Sequence, residues 1–232
     1  MKWIQKKNEP VKLVKWCKDN KANENDKNFK YLDSEVKKEL KAVLLKEQGW
    51  LCAYTGQDID SASSHIEHLK PQHYCKNGED VDYHNLVACY PGIDEKNGTT
   101  KPCLYGAIAK GKWPTPEEQE QFVSPLNKNC ETRFYYLYSG KVKARSDIDD
   151  AAKKTIDKLK LNNDDLCHHR YLVIRGTLDS LKKTPANEKN KKASIITKAK
   201  KALQTLKSED GGKLKSFYFV RTYISQTKSE FY

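Results

Sequence analysis

The stretch from Ser64 to Gly111 constrains the fold of this chain more than any other part. Its apolar pieces are short and separated by polar turns, without the 3.6-residue recurrence of an amphipathic helix. A segment of that kind reads as a small motif held together by a bound metal ion rather than by a core of its own. Two clusters stand out within it. His65-Ile66-Glu67-His68-Leu69-Lys70-Pro71 sets a carboxylate beside a histidine, and 17 residues after His68 an asparagine leads the apolar run Asn85-Leu86-Val87-Ala88-Cys89.

These residue types together suit the cleavage of a phosphodiester by water beside one divalent cation. Glu67 offers a hard oxygen ligand for Mg²⁺ or Mn²⁺. An imidazole with an unperturbed pKa of about 6.5 makes His68 a base suited to neutral pH. Asn85 would orient His68 through its amide or complete the coordination shell. The clusters resemble a ββα-metal motif, which implies a strand carrying Glu67 and His68, a second strand beginning at Asn85, and a short helix closing over the ion. Lys70, Lys110 and Lys112 flank this region as candidate contacts for nucleic-acid phosphates. His65, two residues before Glu67, shares its strand face; it is either a further ligand or phosphate contact or an ordinary strand histidine. His73 and His84 are loop or strand-edge residues, and His168-His169 belongs to packing or a solvent face.

The net charge of +12 suits a nucleic-acid partner, and its distribution is uneven. Residues 1–50 hold 13 basic and 8 acidic side chains, residues 51–120 hold 6 and 11, and residues 121–232 hold 24 and 12. An acidic middle between basic flanks suits a cation site bordered by phosphate-attracting surfaces; it also suits a lysine-rich chain that spares one segment. The seven cysteines (17, 52, 75, 89, 103, 130 and 167) are odd in number and widely spread, so free thiols or metal ligands are expected rather than a disulfide framework. No apolar run reaches the roughly 18 residues of a membrane span, and the start lacks the apolar stretch of a signal peptide. The expectation is a cytosolic protein with no membrane partner. Mean hydropathy of −0.88 suggests an elongated or partner-covered molecule.

The expected fold class is α+β and mainly helical. Residues 1–32 form an N-terminal arm, 33–113 the metal-centred core, 114–146 a connecting helical turn and β-hairpin, and 147–232 a C-terminal helical region. A helix is expected over about 34–48, capped by Asp33 or Ser34, with Val36, Leu40, Val43 and Leu44 on one face and Gly49 at its end. Trp50–Gly56 reads as a short strand and tight turn, Pro116–Gln121 as a helical turn, and Phe134–Tyr138 with Lys141–Ala144 as a hairpin. Three helices follow, marked by Ile148, Ala152, Ile156 and Leu159, by Leu166, Val173, Leu178 and Leu181, and by Ile195, Ile196, Ala199, Leu203 and Leu206. Phe217–Ile224 fits either helix or strand. The C-terminal lysine series from Lys182 to Lys207 reads as a solvated face, a non-specific DNA contact or a docking surface for an acidic partner.

The two clusters resemble the HNH endonuclease family with its ββα-metal motif. The likeness extends to Gln48-Gly49-Trp50-Leu51-Cys52-Ala53-Tyr54, Ser124-Pro125-Leu126, Cys130-Glu131-x-x-Phe134, Leu159-x-Leu161-Asn162 and Leu166-x-x-x-Arg170. With those pieces the chain resembles the HNH subunit (PtuB) of the Septu anti-phage system and related retron-associated HNH proteins. The resemblance implies a metal-dependent endonuclease acting on double-stranded DNA in phage defence, with an ATPase partner (PtuA-like). It gives Glu67, His68 and Asn85 the roles of acid, base and asparagine. An RNA-directed nuclease and a catalytically silent binding module remain alternatives. Two departures from the family pattern matter. The Cys-x-x-Cys pairs that hold zinc in many relatives are half missing here, since Thr55 follows Cys52 and Gly92 follows Cys89. Cys52, Cys89 and Cys103 would then share Zn²⁺ with a fourth ligand such as Cys75 or His73, or be buried as free thiols. The closing helix has Ala107 where the family often has a histidine, so Asn97, with Asp94 second, is the expected oxygen ligand.

Overall fold

The computed structural model describes residues 1–20, 28–93, 98–182, 191–207 and 212–230, without the side chains at 191, 192, 207 and 230. Asp94 and Asn97, and Lys183 and Lys189 of the lysine series, lie outside the described residues. The described chain is mainly helical with two separate two-stranded antiparallel sheets, so the α+β class holds.

Helix α1 (Val11–Asp19) belongs to the stretch read above as an arm, and its Leu13 and Trp16 are buried. Met1 and Ile4 are buried too, and Ile4 donates its backbone N–H to Pro125 at 2.8 Å, so the N-terminus is built into the fold. Helix α2 (Ser34–Glu47) follows the predicted range closely, with Val36, Leu40 and Leu44 buried at four-residue spacing. Its charges are segregated. Glu35 and Glu39 face α1, where they meet Lys12, whereas Lys37, Lys38 and Lys41 lie on the other flank.

Past α2 the chain turns through Gly49 at φ +62°, and Leu51 alone bridges to Asp58 where a short strand was expected. Strand β1 (His65–His68) then pairs with β2 (Leu86–Cys89), His65 opposite Cys89 and His68 opposite Leu86. All four β2 residues are buried. The buried Gln48 side chain at the end of α2 fastens β2 down: it accepts from Ala88 N–H at 2.7 Å and donates to Ala88 and Leu51 carbonyls at 2.8 Å. A single helical turn, α3 (Ala107–Lys110), lies across from β1.

The second sheet pairs β3 (Phe134–Tyr136) with β4 (Val142–Ala144), as the hairpin reading expects. Helices α4 (Asp150–Lys158), α5 (Asp164–Lys182) and α6 (Lys191–Lys207) follow, then α7 (Tyr218–Glu230), which settles the last apolar stretch as helical from Tyr218 on. Ile148 marks no helix; it is 90% exposed and precedes α4. Arg170 on α5 is buried and holds the β3–β4 turn by donating to the Gly140 carbonyl at 2.6 Å, with a second bond to the Leu161 carbonyl. The entry to α7 returns to the first sheet's neighbourhood, where Phe217 N–H meets Gly56 O at 2.7 Å and Leu214 N–H meets Gly49 O at 3.0 Å. Buried apolar residues from Met1 to Ile224 form one hydrophobic cluster, so the lean hydropathy reflects a lysine-rich surface rather than a missing core. Among the described residues no helix is long and apolar enough to cross a membrane.

Candidate active site

Strand alternation places His65 and Glu67 on one face of β1 and Ile66 and His68 on the other. Both faces reach one open cleft of about 430 Å³, because α3 covers the Glu67 side and Phe29 covers the His68 side. Its lining includes His65, Glu67, His68, His73, Lys110 and Lys112.

Glu67 is 16% exposed and flanked by two cationic or potentially cationic groups. Lys110 Nζ lies 2.9 Å from Glu67 Oε1 and donates to the His68 carbonyl at 2.8 Å. His65 Nε2 is 3.6 Å from Glu67 Oε2. Burial pushes the Glu67 pKa up, but His65 and Lys110 outweigh it and hold the carboxyl below its ordinary value. Tyr54, 1% exposed, has its hydroxyl beside this carboxylate. Burial and the Glu67 charge raise its pKa well above the ordinary phenol value, so it stays protonated.

The His65 ring is fixed from behind, with Nδ1 2.6 Å from the Pro91 carbonyl. That contact puts the proton on Nδ1 and turns the Nε2 lone pair toward Glu67 Oε2. Two acceptors facing each other at this distance need a cation between them, either a proton on His65 or a metal ion. Burial lowers the His65 pKa, but Glu67 and Pro91 reverse this and raise it. Ligands about 2.0–2.2 Å from a shared ion sit roughly 3–4 Å apart, so Glu67 and His65 fit as two members of a coordination shell. Among the described residues no group of three or more His, Cys, Asp or Glu side chains is placed to hold a metal.

His68, 8% exposed, is held differently. Its Nε2 lies 2.9 Å from the Asp80 carbonyl, which assigns the proton to Nε2 and leaves the Nδ1 lone pair free. The Phe29 ring meets it edge-on at 4.8 Å. Burial outweighs the Asp80 contact and lowers the His68 pKa, so the ring is neutral at pH 7.

Asn85 is not among the residues lining the cleft, and its side chain bonds to the 70–80 loop rather than to His68, which corrects both roles expected of it. Its Oδ1 accepts from Lys70 N–H at 2.7 Å, and its Nδ2 meets the Lys70 carbonyl at 3.3 Å, the Glu79 carbonyl at 3.1 Å and Cys75 Sγ at 3.4 Å. Its amide is thus tied to the 70–80 loop rather than to the cleft. Its influence on His68 passes through that loop, because the clamped Glu79 precedes the Asp80 whose carbonyl holds the imidazole.

The lysines divide three ways. Lys110 is 3% exposed and committed to Glu67, so the expected phosphate contact is replaced by an internal ion pair. Lys70 pairs with Glu79 on the surface. Lys112 is exposed at the cleft mouth and has no ion pair among the described residues.

The cysteines do not gather as the zinc expectation requires. Cys52 and Cys89 are buried and hydrogen-bonded to each other, while half-buried Cys103 contacts the Tyr105 carbonyl. Burial pushes Cys52 up, but hydrogen bonds from Cys89, Thr55 and Tyr90 bring it down to about 6; burial and Cys52 push Cys89 well up. Cys75 lies in the loop held by Asn85, where burial raises it to about 11. His73 packs edge-on against Tyr74 at the cleft, His84 is exposed beside Asp82, and His168 and His169 face solvent.

Sequence reasoning missed Tyr54, Phe29 and Asp80. The first two show only as aromatic residues remote in the chain, and Asp80 acts through its carbonyl, which carries no sequence signal. No protein-family model matches the chain, and no curated protein matches it.

Proposed function

We propose that this protein is a metal-dependent HNH-type endonuclease in which His68 takes a proton from the water that attacks a phosphodiester. The observation that carries the assignment is the arrangement around the cleft. A neutral imidazole with a free Nδ1 and an ionised carboxylate shared with a second imidazole converge there from adjacent strand positions.

Each side chain has a distinct part. The Asp80 carbonyl keeps the His68 proton on Nε2, so that Nδ1 is the nitrogen left to act as the base. Glu67 and His65 would hold Mg²⁺ or Mn²⁺, with Asn97 or Asp94 as candidates to complete the set. Such an ion, when bound, neutralises phosphate charge and stabilises the departing oxygen. Lys110 keeps Glu67 ionised and fixes its position. Lys112 receives a phosphate at the cleft mouth, and Asn85 fixes the loop that orients the base. Double-stranded DNA as substrate, phage defence as the setting and an ATPase (PtuA-like) as partner rest on the family resemblance alone.

One observation favours a second reading. An ammonium already sits on Glu67, as it would in a silent module that kept the shape of the site and lost its ion. Nicking of supercoiled plasmid by the protein co-purified with its neighbouring gene product separates the two. The nuclease reading expects cleavage that disappears when Mg²⁺ and Mn²⁺ are omitted and that falls at least about 100-fold in His68→Ala. Equal activity in the two proteins removes His68 from the mechanism. Inactivity of both under every metal condition supports the silent module.

A further inference from the structure

Beside the cleft, and sharing Phe29, His65 and Ile66 with it, lies a groove of about 530 Å³ between α2 and β1. Its apolar surface comes from Phe29, Ile66 and Ile93, and Ile93 is 42% exposed. Its far wall is the lysine flank of α2, with Lys37, Lys38 and Lys41. Among the described residues these ammonium groups meet no carboxylate in an ion pair; Lys41 donates to the Ser61 carbonyl at 2.7 Å and Lys37 to the Lys30 carbonyl at 3.4 Å, while Glu35 and Glu39 of the same helix are turned to α1. Lys37 Nζ sits 5.3 Å from the centre of the Phe29 ring, and that ring in turn lies against His68. One aromatic side chain thus touches both the base of the cleft and the cationic wall.

We infer that this groove is a nucleotide subsite that takes an unpaired base on Phe29, Ile66 and Ile93 and its phosphates on Lys37, Lys38 and Lys41. The inference rests on the nuclease reading of the adjacent cleft and narrows its substrate class to strands that are unpaired next to the scissile bond. The volume falls within the roughly 300–1,000 Å³ of small-ligand pockets, enough for a single nucleotide. A fully paired duplex offers the groove phosphates but no apolar face, because its bases are stacked on each other. An unstacked base offers both, which is how single-strand binders combine a cationic track with an aromatic platform. The lysine wall reads no sequence, so preference is for strand state rather than for a particular base.

Fluorescence anisotropy in the presence of a chelator measures binding without cleavage. The probes are a labelled duplex, the same duplex with an internal unpaired bubble, and the single strand. The subsite expects the bubble and the single strand to bind about tenfold tighter than the duplex. Ile93→Ser should erode that preference while leaving duplex binding in place, and Phe29→Leu should erode it as well. Replacing Lys37, Lys38 and Lys41 together with alanine should weaken all three complexes and reduce the salt slope for the single strand by roughly 2, at about 0.7 per phosphate lost. Circular dichroism melting shows whether each variant is folded. Equal affinity for duplex and bubble, a preference that survives Ile93→Ser, or an unchanged salt slope overturns the subsite. Strand-state preference without cleavage of any probe after restoring Mg²⁺ or Mn²⁺ supports the subsite and sinks the nuclease reading, so the two fail separately.

Discussion

Replacing Lys110 with methionine is the sharpest perturbation of the site, because the ammonium is the only cation within 3 Å of Glu67 Oε1 among the described residues. Methionine keeps the length and apolar stem of the lysine and removes the charge. The Lys110 side chain is 1% exposed and that of Glu67 16%, so both charges are largely desolvated. Removing one partner of a buried pair costs roughly 3–5 kcal/mol, since the other is left buried and uncompensated. The residual exposure of Glu67 and the nearby His65 place the expected loss at the lower end, about 3 kcal/mol. For a chain of 232 residues that corresponds to a fall in Tm of about 6–12 °C. The pH dependence has a definite sign. The folded pKa of Glu67 lies below its ordinary 4.5, so its contribution to stability is present above that value and lost as pH falls through the folded pKa. Without Lys110 the carboxyl rises, so the gap between wild type and variant should be full at neutral pH and shrink toward acid. Urea unfolding of wild type, Lys110→Met, Glu67→Gln and the double variant closes the cycle, with a coupling of about 1.5–3 kcal/mol expected. A coupling under about 0.5 kcal/mol, or a gap that stays constant down to acid pH, would refute the ion pair as the element that holds Glu67.

Three further outcomes are expected. Asn85→Ala removes an acceptor for Lys70 N–H and a donor to two carbonyls, so urea unfolding should show a loss of about 3 kcal/mol, and amide exchange should quicken across residues 70–80. Because burial lowers the His68 pKa, the acid limb of any cleavage rate should lie below the roughly 6.5 of a free imidazole, and a limb at or above pH 7 speaks against His68 as the base. Gly140 stands at φ +81°, and a Cβ there would come within 1.9 Å of the Cys167 carbonyl oxygen on α5; Gly140→Ala should cost more than about 3 kcal/mol by calorimetry, whereas a neutral result would show that the turn can move away.

How much of this was legible in the sequence depended on the range over which each feature is encoded. The range of α2, the β3–β4 hairpin and the three helices after Asp147 were readable because apolar spacing, caps and turn residues act within a few positions. The pairing of β1 with β2 was expected from the resemblance to a ββα-metal motif, with no periodicity to support it, and the second strand begins at Leu86, one residue after the expected Asn85. Helix α1 was hidden inside a segment whose polar neighbours masked its two buried anchors, Leu13 and Trp16.

The site residues divide along the same line. Glu67 and His68 are adjacent, so whatever places one near the cleft places the other, and sequence sufficed. Lys110 and Asn85 were given the wrong contacts because a lysine or an amide is chemically versatile and only burial decides its use. Of three lysines near the site, the one that is 3% exposed became part of the carboxylate's environment, and Lys112 stayed exposed. The same principle explains Asn85. Its side chain can satisfy both a donor and an acceptor of one backbone segment, and the 70–80 loop, with no strand partner to satisfy it, uses that capacity in full. A His68 ring held through a carbonyl on such a loop is only as well placed as the loop, so Asn85 bears on His68 through the backbone.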